Sequence, residues 1–239
     1  MRVVRAICER ELWGYLRTPM GYGVMLTVLL IDGILFNVWA IGDGHRRSAE
    51  ALEVFFFVAS GPTVVASVLL AMHLIADERQ RGTLIILETA PLSGWQIVGG
   101  KFLAALTILG IIHLLSITMP ALIYAYGRVS IMHIVMGYLG LTLLGAATLA
   151  IALCASAFAQ TSLIAAITGG ALVVVLVCLH GVAQLASPPM DSVLSYLSLI
   201  HEHYRPFMRG VLSIRAMAFY ISLTLLALLV AARRMEWRT

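Results

Sequence analysis

Four groups of residues in this 239-residue chain have the types and spacing that chemistry needs. The first is Gly94-Trp-Gln-Ile-Val-Gly99-Gly100-Lys101-Phe102, superficially a phosphate-binding loop. An extra glycine separates Gly99 from Lys101, Phe102 stands where Ser or Thr would hold magnesium, and no strand precedes it. It is not a nucleotide site. The second is His201-Glu202-His203. Residues two apart on a helix do not share a face, and this is not a His-Glu-x-x-His arrangement, so a wet polar patch is the better reading and no metal is expected. The third is Asp32, set inside an apolar run, where an ionised carboxylate costs about 2.5–3.5 kcal/mol on insertion scales. It is either a lining position on a polar path or a packing residue that is protonated or hydrogen-bonded. The fourth is the charged loop Asp77 to Ser93. His113 and His180 are better read as histidines bonded across helices than as proton relays. Cys8, Cys154 and Cys178 have no metal-type spacing and form no disulfide framework.

The elements that must carry these residues follow from composition. Hydrophobic residues make up 61% of the chain and charged residues 12%, against about a quarter charged in soluble domains. Lipid must therefore solvate much of the surface. A membrane helix needs about 20 apolar residues, and six stretches qualify: 20–41, 54–76, 97–126, 131–158, 162–185 and 214–232. They form one transmembrane domain over 1–239, an all-α integral membrane protein. Residues 1–18 scatter arginine and glutamate through their length, which leaves no signal-peptide core. Val3, Val4, Ile7, Cys8, Leu12 and Leu16 recur there at helical spacing, predicting an amphipathic interfacial helix.

Six spans put both termini on one side. With that side as cytoplasm, the inside segments hold Arg2, Arg5, Arg10, Arg17, Arg79, Arg81, Lys101, Arg233, Arg234 and Arg238. The outside segments hold Arg46, Arg47, Arg128, Arg205, Arg209 and Arg215. The bias favours termini inside, and it explains the net charge of +4 better than nucleic-acid binding does. Ala146, Ala150 and Cys154 in the fourth span, and Gly169-Gly170 in the fifth, allow close helix approach, by default within one subunit.

Two connections are too long to be turns: 77–96 inside and 186–213 outside. In the first, a burst of charge ends the second span and Gly82 permits a sharp turn. Thr83 can then cap a short helix, Leu84 to Ala90, that Pro91 stops. Ser93 and Gln96 have the spacing of a capping box for the third span, and Trp95 sits at headgroup level. In the second connection, Pro188 and Pro189 end the fifth span. A short apolar helix is expected from Asp191 or Ser192, interrupted at Pro206 and continuing from Phe207 to Leu212.

The pattern Glu78-Arg-x-x-Gly-Thr-Leu, then Leu87-x-Thr-Ala-Pro-Leu-Ser, then Gly100-Lys-Phe, resembles the type 2 ABC transporter permeases, and is most similar to their gliding-motility-associated branch. The resemblance extends to Glu11-Leu-x-x-Tyr-Leu-x-Thr-Pro19-x-x-Tyr22, to Phe207-x-x-Gly210-Val, Arg215 and Tyr220, and to the closing Arg-Arg-x-Glu. It implies that 77–96 carries a cytoplasmic coupling helix docked in a groove of an ATPase. The residues concerned are Glu78, Arg79, Arg81, Gly82, Thr83, Leu84, Leu87, Glu88 and Pro91. One departure is visible: the family's usual glutamate two residues after the threonine is Ile85 here, and the nearest acid is Glu88. The resemblance also implies short external re-entrant helices capping the outer end of the path, with Tyr204, Phe207 and Gly210 in the gate region.

The leading expectation is therefore the permease subunit of an ATP-driven exporter in a bacterial inner membrane, with both termini cytoplasmic. It pairs with a second permease, as a homodimer or heterodimer, and with two copies of an ABC ATPase. The chain itself is not an enzyme and holds no cofactor; ATP and magnesium belong to the partner. Two readings compete: a non-transporting scaffold or motility component of the same fold, and an ATPase-independent secondary transporter. A secondary transporter needs several facing acids and bases inside the spans, which this sequence lacks.

Overall fold

The computed structural model of the chain describes residues 2–41, 47–83, 93–187 and 190–236. Among these it is all helix and turn. Lipid offers no hydrogen bonds, so a spanning backbone must satisfy its own groups, and helices do that segment by segment. Six helices are long and apolar enough to cross a membrane: Gly21–Trp39, Ser48–Gln80, Gly94–Tyr126, Ile131–Phe158, Ser162–Ala183 and Ile214–Glu236. The chain is an integral membrane protein.

In chain order, α1 spans Arg2–Arg17 and α2 spans Pro19–Leu35, followed by a π-helical turn over Phe36–Ile41. Then come α3 (Ser48–Leu74), α4 (Ala76–Gln80), α5 (Gly94–Ser116), α6 (Thr118–Tyr126), α7 (Ile131–Phe158) and α8 (Ser162–Ala183). The last are α9 (Met190–Leu197), α10 (Arg205–Met208) and α11 (Ile214–Glu236). The apolar run expected over 97–126 does not make one unbroken helix. Pro120 cannot donate to the carbonyl of Ser116, and the third span breaks at Ile117 between α5 and α6.

Helix α7 is the centre of the bundle. In its most apolar window 72% of the residues are buried, against 17% for α8, which lies at the periphery. Gly169 of α8 lets the two helices close up, because a Cβ there would sit 3.1 Å from Ala152 Cα. The small residues of the fifth span thus serve packing within the subunit. Of the expected apolar stripe of α1, Ile7 is buried and Leu12 and Leu16 pack on the same core, joined by Tyr15, whereas Val3 is exposed. Ile7 closes against Gly100 of α5, where any side chain would collide with it.

The connection before the last span departs from expectation. Pro206 does not interrupt a helix. It starts one, in the first turn of α10, where its missing N–H costs nothing. That helix then stops at Met208 instead of running to Leu212, because Gly210 adopts φ +74°. The stretch between α9 and α10 folds back along α8, with Leu199 N donating to Leu176 O at 3.3 Å, about two turns before α8 ends.

Candidate functional site

The loop Asp77 to Ser93 springs from a base tied down on every side. Helix α3 ends at Leu74, Ile75 breaks the ladder, and α4 starts at Ala76. Ser156 of α7 stitches this break: its Oγ donates to Met72 O at 3.3 Å and accepts from Ala76 N at 3.1 Å. Arg79 then reaches across to the end of α7, where its guanidinium donates to Ala157 O at 2.9 Å and to Ala159 O. A cation on the last carbonyls of a helix satisfies orphan acceptors and meets the negative end of the dipole.

Gly82 closes α4. At φ +72° it donates to Arg79 O at 3.1 Å, and Thr83 N donates to Glu78 O at 2.9 Å, the paired bonds of a Schellman motif. Nothing lies within 4 Å of a Gly82 Cβ, so the demand for glycine is conformational and not steric. Leu84, Leu87, Glu88 and Pro91, with the expected helix over 84–90, lie outside the described residues. The chain is described again at Ser93, where the capping box forms: Gln96 N donates to Ser93 Oγ at 3.4 Å and Ser93 N to Gln96 Oε1 at 3.3 Å. Gly94 abuts Ala232 O of α11 so closely that a Cβ would sit 2.5 Å away.

Charge ties the base to α1. Lys101, one turn or two into the third span, is completely buried. Its Nζ donates to Glu11 Oε1 at 2.9 Å. It also lies 2.9 Å from Glu78 Oε2, an ion pair made off the line of a good hydrogen bond. Arg10 Nη2 donates to the other Glu78 oxygen and to Glu11 Oε1, both at 2.8 Å. Two acids and two bases from α1, α4 and α5 thus close one network. Tyr15 adds a bond from its hydroxyl to Leu70 O of α3 at 2.8 Å. Asp77 faces Arg81 at 3.3 Å and His73 at 3.2 Å. Burial pushes the Glu11 carboxyl up, but Lys101 and then Arg10 pull harder and hold it below the ordinary carboxylate range.

Of these four charges, sequence reasoning placed only Glu78 at a site. Lys101 entered as the lysine of a rejected phosphate-binding loop, as a motif residue and as an inside charge, and Glu11 as a motif residue, with no pairing foreseen between them. The missed signal is positional. A lone lysine inside Gly99–Leu106 has to find a carboxylate, and an acid on the apolar side of an amphipathic helix has to find a base. Glu11 is that acid.

At the opposite end, Tyr204, Phe207 and Gly210 come together as a packed plug. Tyr204 and Phe207 have no exposed surface. The Tyr204 hydroxyl donates to Phe56 O at 3.0 Å, and Phe207 fills the space that Gly140 leaves in α7. Gly210 closes on His133, whose Nε2 bonds Met208 O at 2.7 Å. The neighbouring histidines go to separate partners. His203 is buried against Phe219 at 3.8 Å between ring centres, and His201 is exposed and stacked on His180 at 3.9 Å. Burial, with His180 and Arg205 nearby, lowers the His201 pKa.

Inside the spans, His113 bridges helices. Its Nε2 meets Thr63 Oγ1 at 3.2 Å and its Nδ1 meets Thr142 Oγ1 at 3.4 Å. Thr142 already donates to Tyr138 O at 2.8 Å, which assigns the ring proton to Nδ1. Asp32 is 5% exposed, and its Oδ1 is buried without a hydrogen-bond partner among the described residues.

Six apolar helices, a charged loop base at one end and a packed plug at the other define a polytopic membrane component of the permease type. Residues 25–234 match the sequence model of the ABC-2 family transporter proteins, and the chain belongs to that family. No curated protein matches it. Membership makes the chain the permease subunit of an ABC transporter. Such membrane components hydrolyse no ATP themselves and associate with an ABC ATPase.

Proposed function

We propose that this chain is the permease of an ATP-driven exporter, and that the segment leaving the bundle at Thr83 is its coupling helix. Two permeases and two ATPases form the working unit. Both termini and the 77–96 loop face the cytoplasm, the membrane is the bacterial inner membrane, and the motif pattern points to the gliding-motility-associated branch. Closure of the ATPases rocks the loops, and alternating access carries substrate past Asp32 towards the Tyr204–Gly210 plug, which acts as the outer gate.

The observation that carries this reading is the base of the loop. A loop that only connects two spans needs no anchor, whereas one that transmits force needs a stiff one. Here Gly82, Arg79, Ser156 and the pairs of Glu78 with Arg10 and Lys101 bind the exit point to α1, α5 and α7, so a push on the loop moves four elements together.

Gly82→Ala tests it. An L-residue at positive φ costs about 1–2 kcal/mol, enough to reopen the Schellman turn and redirect 84–92. Co-purification with the ATPase is expected to fall about tenfold while the amount of folded permease stays unchanged. Equal recovery of ATPase with both forms would refute docking through this loop. Asp32→Asn keeps the side-chain shape and removes the ionisable group. Normal assembly with lost export is expected, and unaltered export would remove Asp32 from the path.

A further inference from the structure

The bundle end away from Glu78 holds a cavity of about 290 Å³ that the coupling reading does not use. Glu53, Phe57, His201 and Arg205 are among its walls. Its charges do not cancel. Glu53 accepts from Arg209 Nε at 3.0 Å and is neutralised there. Arg205 is exposed and forms no ion pair among the described residues. Among the described residues, one net positive charge, with an imidazole beside it, therefore faces the cavity.

Away from that rim the wall turns apolar. Phe57, Gly61, Val65 and Leu69 recur every fourth residue along α3, and residues so spaced lie on one helix face. Phe57 is 52% and Val65 is 55% exposed, and nothing lies within 4 Å of a Gly61 Cβ. This stripe leads into a second cavity of about 550 Å³, a cleft between α2 and α3 walled by Val28, Ile31, Pro62, Val65 and Leu69. Phe57 lines the charged cavity and Pro62 lines the cleft, about 7.5 Å further along the α3 axis, so the cleft begins near the charged cavity. From Phe57 to Leu69 the stripe measures about 18 Å, somewhat more than one leaflet of an about 30 Å hydrocarbon core.

We propose that the two cavities form one lipid site. It takes a phospholipid of net negative headgroup, with the phosphate on Arg205 and an acyl chain laid in the α2–α3 cleft. Guanidinium and phosphate make charge-assisted, often bidentate bonds. A zwitterionic headgroup brings its own cation and gains less from Arg205. A free phosphate leaves the cleft unused. A second copy of this chain laid over the stripe would bury the Arg205 charge unpaired, which is costly. The site deepens the exporter reading by naming an amphiphile as the bound class, and it rests on that reading only for what the lipid is there to do.

Native mass spectrometry of the full chain, with no ATPase present, separates the two claims. The probes are dioleoyl phosphatidylglycerol, dioleoyl phosphatidylcholine and glycerol 1-phosphate. Phosphatidylglycerol is expected to be retained about tenfold better than phosphatidylcholine, and Arg205→Gln to abolish that preference. Gly61→Leu, which fills the stripe, is expected to reduce retention of both lipids, and glycerol 1-phosphate is expected not to displace phosphatidylglycerol at equal concentration. Equal retention of the two lipids, or a preference untouched in Arg205→Gln, overturns the headgroup assignment. Displacement by glycerol 1-phosphate overturns the acyl cleft. Disulfide cross-linking of Val65→Cys to a second copy, with lipid lost, would make the stripe a subunit interface and overturn the site as a whole.

Discussion

Lys101→Met is expected to cost the chain about 3–5 kcal/mol, the usual penalty for removing one partner of a buried ion pair, and to free α1 from the bundle. The lysine has no exposed surface, and its two carboxylate partners are each less than one-fifth exposed. Without it, Glu11 and Glu78 face each other with only Arg10 between them, and Arg10 is 55% exposed and screened by water. Methionine fills a similar volume, so the loss is one of charge and not of packing. The triple variant Lys101→Met, Glu11→Gln and Glu78→Gln is expected to recover much of the loss, because no buried charge is then unpaired. The melting midpoint of the solubilised chain and the protease sensitivity of its first 17 residues report both effects. A single variant that melts with the wild type would show that the network contributes nothing. Acid acts in the same direction. The Glu11 pKa is depressed by folding, so its contribution is complete above the ordinary value of about 4.3 and is lost as pH falls through the lower folded value. Glu11→Gln should flatten that part of the pH profile.

The membrane class and the six spans were readable because lipid imposes one rule on every segment, a run of apolar residues long enough to cross. The local signals at Gly82 and at Ser93–Gln96 were readable for a similar reason. A left-handed turn and a capping box are set by residues within a few positions of each other, and both formed. What escaped reading is long-range. Lys101 finds Glu11 ninety residues away and Ser156 finds Ala76 eighty away, and no periodicity encodes such meetings. Proline misled in one place. Pro206 looked like an interruption, because a proline that breaks a helix and one that starts it look alike until the neighbouring φ values are known. Asp32 was identified by cost alone. Its burial agrees with that cost.

Phe207→Ala is expected to be the most damaging change at the far end, at about 3–5 kcal/mol. The ring has no exposed surface and packs against Gly140, where even a methyl group would collide with it. Two tight helices frame the hole that truncation leaves, so little of it can collapse. Phe207→Leu keeps most of the volume and should cost much less. Tyr204→Phe removes one buried bond to Phe56 O and is expected to cost about 1 kcal/mol. The ranking Phe207→Ala, then Phe207→Leu and Tyr204→Phe, is what a packed plug requires, and thermal unfolding of the three variants measures it. Because α4 lies at the other end, ATPase co-purification should track the folded fraction and nothing more. A Phe207→Ala chain that melts normally yet fails to hold the ATPase would refute the separation of the two ends, and would make the plug part of the coupling path.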